Sequence, residues 1–196
     1  PTESIRAAAL DGSGRRAAVA GRRLYLADRA TGQGSTSPLP TAKGESPGSG
    51  GVYALRFVGG GSLLSAGSSG VLQWDPRTGK AESLLSGGCG TMDASADGRR
   101  IAVGCLTREA LSNGQRGRPS SEVFVLDLQT GERRTIVGHG DAVQSVALDP
   151  SGELIASGDT TGVVRVGRVD GTAPHLLLGA RGVVPSVGFS PDGRWV

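Results

Sequence analysis

The feature that most constrains this chain is that it repeats itself. Residues 142–168 read AVQSVALDPSGELIASGDTTGVVRVGR: an alternating strand, a turn, a second strand, a glycine turn and a third strand. The same order returns at 52–75 (VYALRFVGGGSLLSAGSSGVLQWD) and at 4–28 (SIRAAALDGSGRRAAVAGRRLYLAD). Another copy opens with TMDASADGRRIAVGCL at 91–106 and, after a detour, finishes with EVFVLDL at 122–128. A fifth starts at 183 with VVPSVGFSPDGRWV. Units of this kind cannot bury their apolar faces alone and must stack on one another.

The turns recur with the strands. The first hairpin of each copy turns on Asp11-Gly12-Ser13-Gly14, Gly59-Gly60-Gly61-Ser62, Ala96-Asp97-Gly98, Asp149-Pro150-Ser151-Gly152 or Pro191-Asp192-Gly193. Pro presets φ, Asp or Ser bonds the turn backbone, and Gly takes the positive-φ position. A second signal, Asp-x-x-Thr-Gly, follows the third strand at Asp28, Asp75 and Asp127, which are therefore read as structural turn residues. These aspartates are 47 and 52 residues apart, and Arg168 stands 41 residues after Asp127. Four short strands on such a period predict an all-β chain, a β-propeller of four-stranded antiparallel blades. The strands fall at 4–10, 16–20, 23–27 and 34–39; 52–58, 62–66, 71–74 and 81–85; 90–94, 100–106, 122–127 and 132–137; and 142–148, 153–157, 163–167 and 173–178. One propeller segment over 1–196 results, with blades at 1–45, 46–86, 87–137 and 138–179 and a partial one at 180–196. At ~42 residues per blade the length is that of an incomplete ring. The expectation is a cut through a larger propeller whose open strand edges would favour aggregation.

Composition closes off other solutions. Of 196 residues 34 are Gly and 10 Pro, and interior Gly costs a helix about 1 kcal/mol each, so a helical bundle or coiled coil is excluded. The glycines have no period of three, which excludes collagen. No apolar run approaches the ~18 residues that span a bilayer, so no membrane partner is expected. The net charge is only +3. Every basic residue but Lys43 and Lys80 is Arg, without the clustered stripe of a nucleic-acid binder. An Arg-, Ala- and Gly-rich chain suits a GC-rich bacterial source. The sequence opens on Pro1 with no signal-like apolar stretch, so a cytoplasmic location is expected, with the true N-terminus upstream.

Gly138-His139, Val143 and Val146, Asp149-Pro150-Ser151-Gly152, Leu154-Ile155-Ala156-Ser157-Gly158 and Val163–Val166 resemble the WD-repeat β-propeller family. Phe189-Ser190-Pro191-Asp192-Gly193 and Trp74-Asp75 add to the likeness. In that family a Gly-His histidine, a Ser or Thr on the second strand, an Asp in the following turn and a Trp on the third strand form a buried hydrogen-bond network. The resemblance gives those roles to His139 and Ser157 in the fourth copy and to Trp74 in the second. Thr161 stands where the Asp belongs and Gly167 where the Trp belongs, so no copy holds the complete set. The family implies no catalysis and no cofactor, but a platform that gathers protein partners on its loops. It also admits a sensor or repeat region of a larger bacterial signalling ATPase or protein kinase. An enzymatic lactonase-like or quinoprotein-like propeller would want acids and histidines at the starts of the inner strands. Ser4, Gly51, Thr91, Ala142 and Val183 stand there instead.

Chemistry is otherwise sparse. Neither His139 nor His175 has a second ligand at metal spacing, so no metal site is expected. No G-x-S-x-G elbow occurs, and Gly59-Gly60-Gly61 lacks the Lys-Ser/Thr of a phosphate loop. The recurring Asp11, Asp97, Asp149 and Asp192 read as turn formers, with a calcium role as the alternative. Arg15-Arg16 and Arg99-Arg100 follow those turns in register, as solvated flanks or a weak anion-binding patch. Cys89 and Cys105 would face each other across one hairpin, as a disulfide or as two separate thiols. The third copy carries the one large insertion, 107–121, expected to be an exposed polar loop. Its Arg108, Asn113, Arg116 and Arg118 are the candidate interaction residues. With the connection 40–51 it should project from one face.

Overall fold

The computed structural model describes residues 4–21, 23–39, 51–110, 116–172, 175–178 and 181–196. They form sixteen strands, with one single-turn 3₁₀ helix at Gly59–Gly61. The chain divides into two compact units, Pro1–Cys89 and Gly90–Val196. Four four-stranded antiparallel sheets make up the fold, each in simple meander order. The fold class is a β-propeller of four-stranded blades, and the ring is not closed.

In the first unit, blade one is β1 (Ala7–Leu10), β2 (Arg16–Ala20), β3 (Arg23–Asp28) and β4 (Gly34–Pro38). Blade two is β5 (Val52–Phe57), β6 (Leu63–Gly67), β7 (Gly70–Trp74) and β8 (Ala81–Leu85). Second strands are sandwiched, and every residue of β6, Leu-Leu-Ser-Ala-Gly, is buried. Strand β3 instead alternates, with Leu24 and Leu26 inward and Tyr25 outward, the period of two of a half-buried strand. Leu24, Leu26, Val52, Leu55, Leu63 and Trp74 share one core cluster. Gly70 turns β6 into β7 at φ 99°. A Cβ there would run into the Leu85 carbonyl, so only Gly fits this hairpin.

The second unit contains β9 (Cys89–Ala94, overlapping the division by one residue), β10 (Arg100–Ala110), β11 (Arg116–Asp127) and β12 (Arg133–His139). Its other blade is β13 (Val143–Leu148), β14 (Leu154–Asp159), β15 (Val163–Arg168) and β16 (His175–Leu178). Val123, Val125, Val143, Val146, Leu148 and Ile155 form its core cluster. Hydrogen bonds also join the two blades: Ala96 N–H donates to Pro150 O at 3.1 Å, and Leu148 N–H to the Asp93 side-chain Oδ2 at 3.0 Å. In the fifth copy Ser190 N–H donates to Trp195 O at 2.9 Å, forming the expected first turn. Val184 N–H donates to Asp159 O at 2.9 Å, docking that segment on β14.

One expectation is corrected. Over its described residues, 107–110 and 116–121, the insertion is not a loop but lengthens the β10–β11 hairpin. Leu106 pairs with Ser121, Thr107 with Ser120, Arg108 with Pro119 and Ala110 with Arg116, with a register shift between Arg108 and Ala110. A ribbon that continues an existing hairpin is held by backbone bonds and needs no apolar alternation of its own, so a polar stretch can pair. Residues 40–50 and 111–115 lie outside the described residues.

Candidate functional site

His139 ends the outer strand of its blade and reaches β14 of the next. Its Nδ1 lies 3.0 Å from Asp159 Oδ2 and its Nε2 lies 2.7 Å from Ser157 Oγ. All three residues are buried. The sequence expectation placed the acid at Thr161; the acid that binds the histidine is Asp159, two residues earlier. Thr161 supports it, its amide and hydroxyl each donating to Asp159 Oδ1 at 2.8 Å. Burial alone would raise the Asp159 carboxyl, but the bonds from His139, Thr161 and the Val163 amide outweigh it and hold the pKa at about 2. In the neutral imidazole, an ionised Asp159 takes the ring proton on Nδ1, and Nε2 then accepts from the Ser157 hydroxyl.

This Ser–His–Asp connectivity is that of a hydrolase triad. It differs in access: Ser157 is 7% exposed and His139 3%, so the pair is buried and not open to solvent. What the arrangement does is clamp the end of β12 to β14. Blade two carries the other half of the family network. There Trp74 Nε1 donates to the buried Ser65 Oγ at 2.9 Å. Register makes Ser65 equivalent to Ser157 and Trp74 to Gly167, since Leu63 faces Trp74 and Ile155 faces Gly167. Beside Gly167 is a small cavity lined by Ile155, Ser157 and Arg165. The buried Arg165 Nε at its wall has no hydrogen-bond partner among the described residues.

The turn residues are committed to one another. Asp11 Oδ1 accepts from the Arg15 and Arg16 amides, and Asp149 Oδ1 from those of Glu153 and Leu154. Such carboxylates are taken up by their own turns. Arg15 Nε donates to Asp28 at 3.1 Å, and Arg99 Nε to Asp127 at 2.8 Å. The second arginine of each pair bridges to the next blade: Arg16 Nη1 donates to Gly61 O at 3.3 Å, and Arg100 Nη1 to Gly152 O at 2.8 Å. Arg15, Arg16 and Arg99 thus remain solvated turn flanks, tied to the acids or carbonyls beside them. In the fourth blade the same contact has its charges exchanged, Arg168 Nη2 lying 3.3 Å from Glu153 Oε2.

Asp75 and Asp127 both fold their own turns: Asp75 accepts from the Arg77 amide and the Thr78 hydroxyl, and Asp127 from the Gln129 and Thr130 amides. Arg108, Arg116 and Arg118 lie on the β10–β11 ribbon, and Asn113 lies outside the described residues. Cys89 and Cys105, the only cysteines of the chain, are disulfide-bonded. Counted from the hairpin bond Ser95 N–H to Arg100 O, they occupy the places where Val143 faces Asp159 and Val52 faces Gly67. Among the described residues no group of three or more His, Cys, Asp or Glu is arranged to hold a metal ion.

Comparison with known proteins agrees with this geometry. The family description "WD domain, G-beta repeat" matches residues 131–166, which hold His139, Ser157 and Asp159. WD repeat-containing protein SL1-17 of Schistosoma mansoni is 29% identical over 150 residues, covering 74% of this chain and 46% of that protein. SVP1-like protein 2 of Neurospora crassa is 22% identical over 174 residues, covering 72% of this chain and 41% of that protein. The chain therefore spans less than half the length of these relatives.

Proposed function

Since the chain belongs to the WD-repeat family of β-propeller proteins, we propose that it is a non-catalytic scaffold that docks a protein partner through the β10–β11 hairpin. Domains of this family generally act as protein-interaction scaffolds. The observation that carries the reading is hairpin length. β10 and β11 have 11 and 12 residues, whereas the second and third strands of the other blades have 5 or 6. Binding residues concentrate on projections that run past a blade's regular strands. Residues 107–121 of this hairpin carry Arg108, Arg116 and Arg118 against one acid, Glu109, which suits a partner with an acidic surface and speeds encounter with it.

Two variants test this. Replacing 107–120 by a two-residue Asn-Gly turn should leave the thermal midpoint within a few degrees and abolish capture of the physiological partner. Changing Arg108, Arg116 and Arg118 together to Ser should slow association and flatten its salt dependence. Unchanged partner affinity in both variants would remove the hairpin from the interface.

A further inference from the structure

Three of the four blades carry a charged residue just after the first turn that pairs with the residue ending the third strand. The pairs are Arg15 with Asp28, Arg99 with Asp127 and, reversed, Glu153 with Arg168. Blade two lacks that residue. Its turn closes from Val58 N–H to Ser62 O, with the positive-φ Gly61 bonding back to Val58. The other turns close one residue later, as Asp149 N–H does on Leu154 O, with Gly152 in the place of Gly61. The shorter turn deletes the position of Arg15 and Arg99 and leaves Asp75 without a cross-strand arginine among the described residues. Arg77 Nε stands 3.8 Å from Asp75 Oδ1, with its side chain 92% exposed, and does not take that place.

Asp75 opens onto a groove of about 760 Å³ within the first unit, lined by Leu26, Asp28 and Ser35 of blade one and by Phe57, Ser62 and Asp75 of blade two. The corresponding groove of the second unit is about 190 Å³. Arg134, bonded to Glu132 at 2.8 Å, and the Glu153–Arg168 pair line it. Register puts Ser35 where Arg134 stands, since Leu26 faces Ser35 and Val125 faces Arg134. One groove is closed by the chain's own long charged side chains, and the other is left open by their loss.

We propose that this groove binds an arginine side chain of a protein partner, whose guanidinium takes on Asp75 the place that Arg15 and Arg99 take on Asp28 and Asp127. The chain itself displays the ligand chemistry twice: a guanidinium Nε within 3.1 Å of the homologous carboxylate. Phe57 and the edge of Leu26 line the groove for the arginine stem, and the chain's own Arg16, bonded to Gly61 O, and Arg77 line it as well. Partner binding here uses none of the hairpin residues proposed above, so either reading can fail without the other.

The test titrates the whole chain with blocked pentapeptides, Gly-Ser-Xaa-Ser-Gly, in which Xaa is arginine or its uncharged isostere citrulline. Saturable amide shifts at Ser62 and Asp75 are expected with arginine, weakened roughly tenfold with citrulline, as for loss of one charge-assisted hydrogen bond. Asp75→Asn keeps an acceptor oxygen for the turn and should weaken arginine binding to the same degree. Inserting an arginine between Gly61 and Ser62 restores the turn of blades one and three, fills the place internally and should abolish peptide binding. Equal affinity for the two peptides, no saturable shift, or arginine binding unaffected by the insertion would overturn the proposal.

Discussion

Ser65 and Ser157 stand at the same point of their blades and are held from opposite sides, one by a tryptophan and the other by a histidine. With the Ser157 proton directed at His139, its oxygen still has an acceptor lone pair on the Gly167 side, where Trp74 donates in blade two. Gly167→Trp should therefore raise stability, by about 1 kcal/mol for the new hydrogen bond and more if the cavity is filled without strain. Thermal unfolding measures the gain, and a Ser157→Ala background should erase the hydrogen-bond part of it. The histidine, serine and tryptophan of this split network were reached through the resemblance to the WD-repeat family, whose motif residues they match. Asp159 was not. The family pattern puts the acid in the β14–β15 turn, where Thr161 sits, whereas here it is the last residue of β14 and bonds its own turn as well as the histidine. An aspartate that could equally be a turn former gives no separate signal in one dimension.

At the scale of elements, strand positions could be read because Gly and Asp mark both ends of nearly every hairpin. The length of β10 and β11 could not, because Gly117 and Pro119 carry the composition of a loop while the backbone continues to pair. The disulfide was readable only as one of two options, since sequence count puts two cysteines opposite but does not oxidise them. In the β9–β10 hairpin it closes a short loop. Reduction should then cost up to about 3 kcal/mol by loop entropy, lowering the thermal midpoint. Thiol titration of the unfolded chain should find no free thiol before reductant and two after it; two free thiols in both would remove the bond. Such a bond is usual in an oxidising compartment, whereas the location expected from the N-terminal sequence is the cytoplasm. The same titration on protein taken directly from its source compartment decides between them.

Over the whole molecule, aspartates anchor the turns in their ionised form. The Arg16 amide lowers Asp11, the Ser95 hydroxyl lowers Asp97, and the Ser190 hydroxyl lowers Asp192, each below the ordinary 3.8. Asp159 goes furthest, to about 2. A carboxyl whose folded pKa lies below its unfolded value stabilises the fold fully above about pH 4, and that contribution is lost as pH falls toward 2. Asp159 alone should account for roughly 2 kcal/mol of the loss. Denaturant unfolding between pH 5 and 2 should show this fall in the wild type and a shallower one in Asp159→Asn. The exchanged pair Glu153–Arg168 has its own consequence at this scale. Copies so alike could trade strands while the chain folds, a hazard of repeat proteins. A second strand beginning with Glu153 set beside a third strand ending in Asp28 or Asp127 would oppose two carboxylates, and Arg15 or Arg99 beside Arg168 would oppose two guanidinium groups. Exchanging the charges in one copy thus labels its strands as belonging together and penalises the swapped pairings that sequence likeness would otherwise permit.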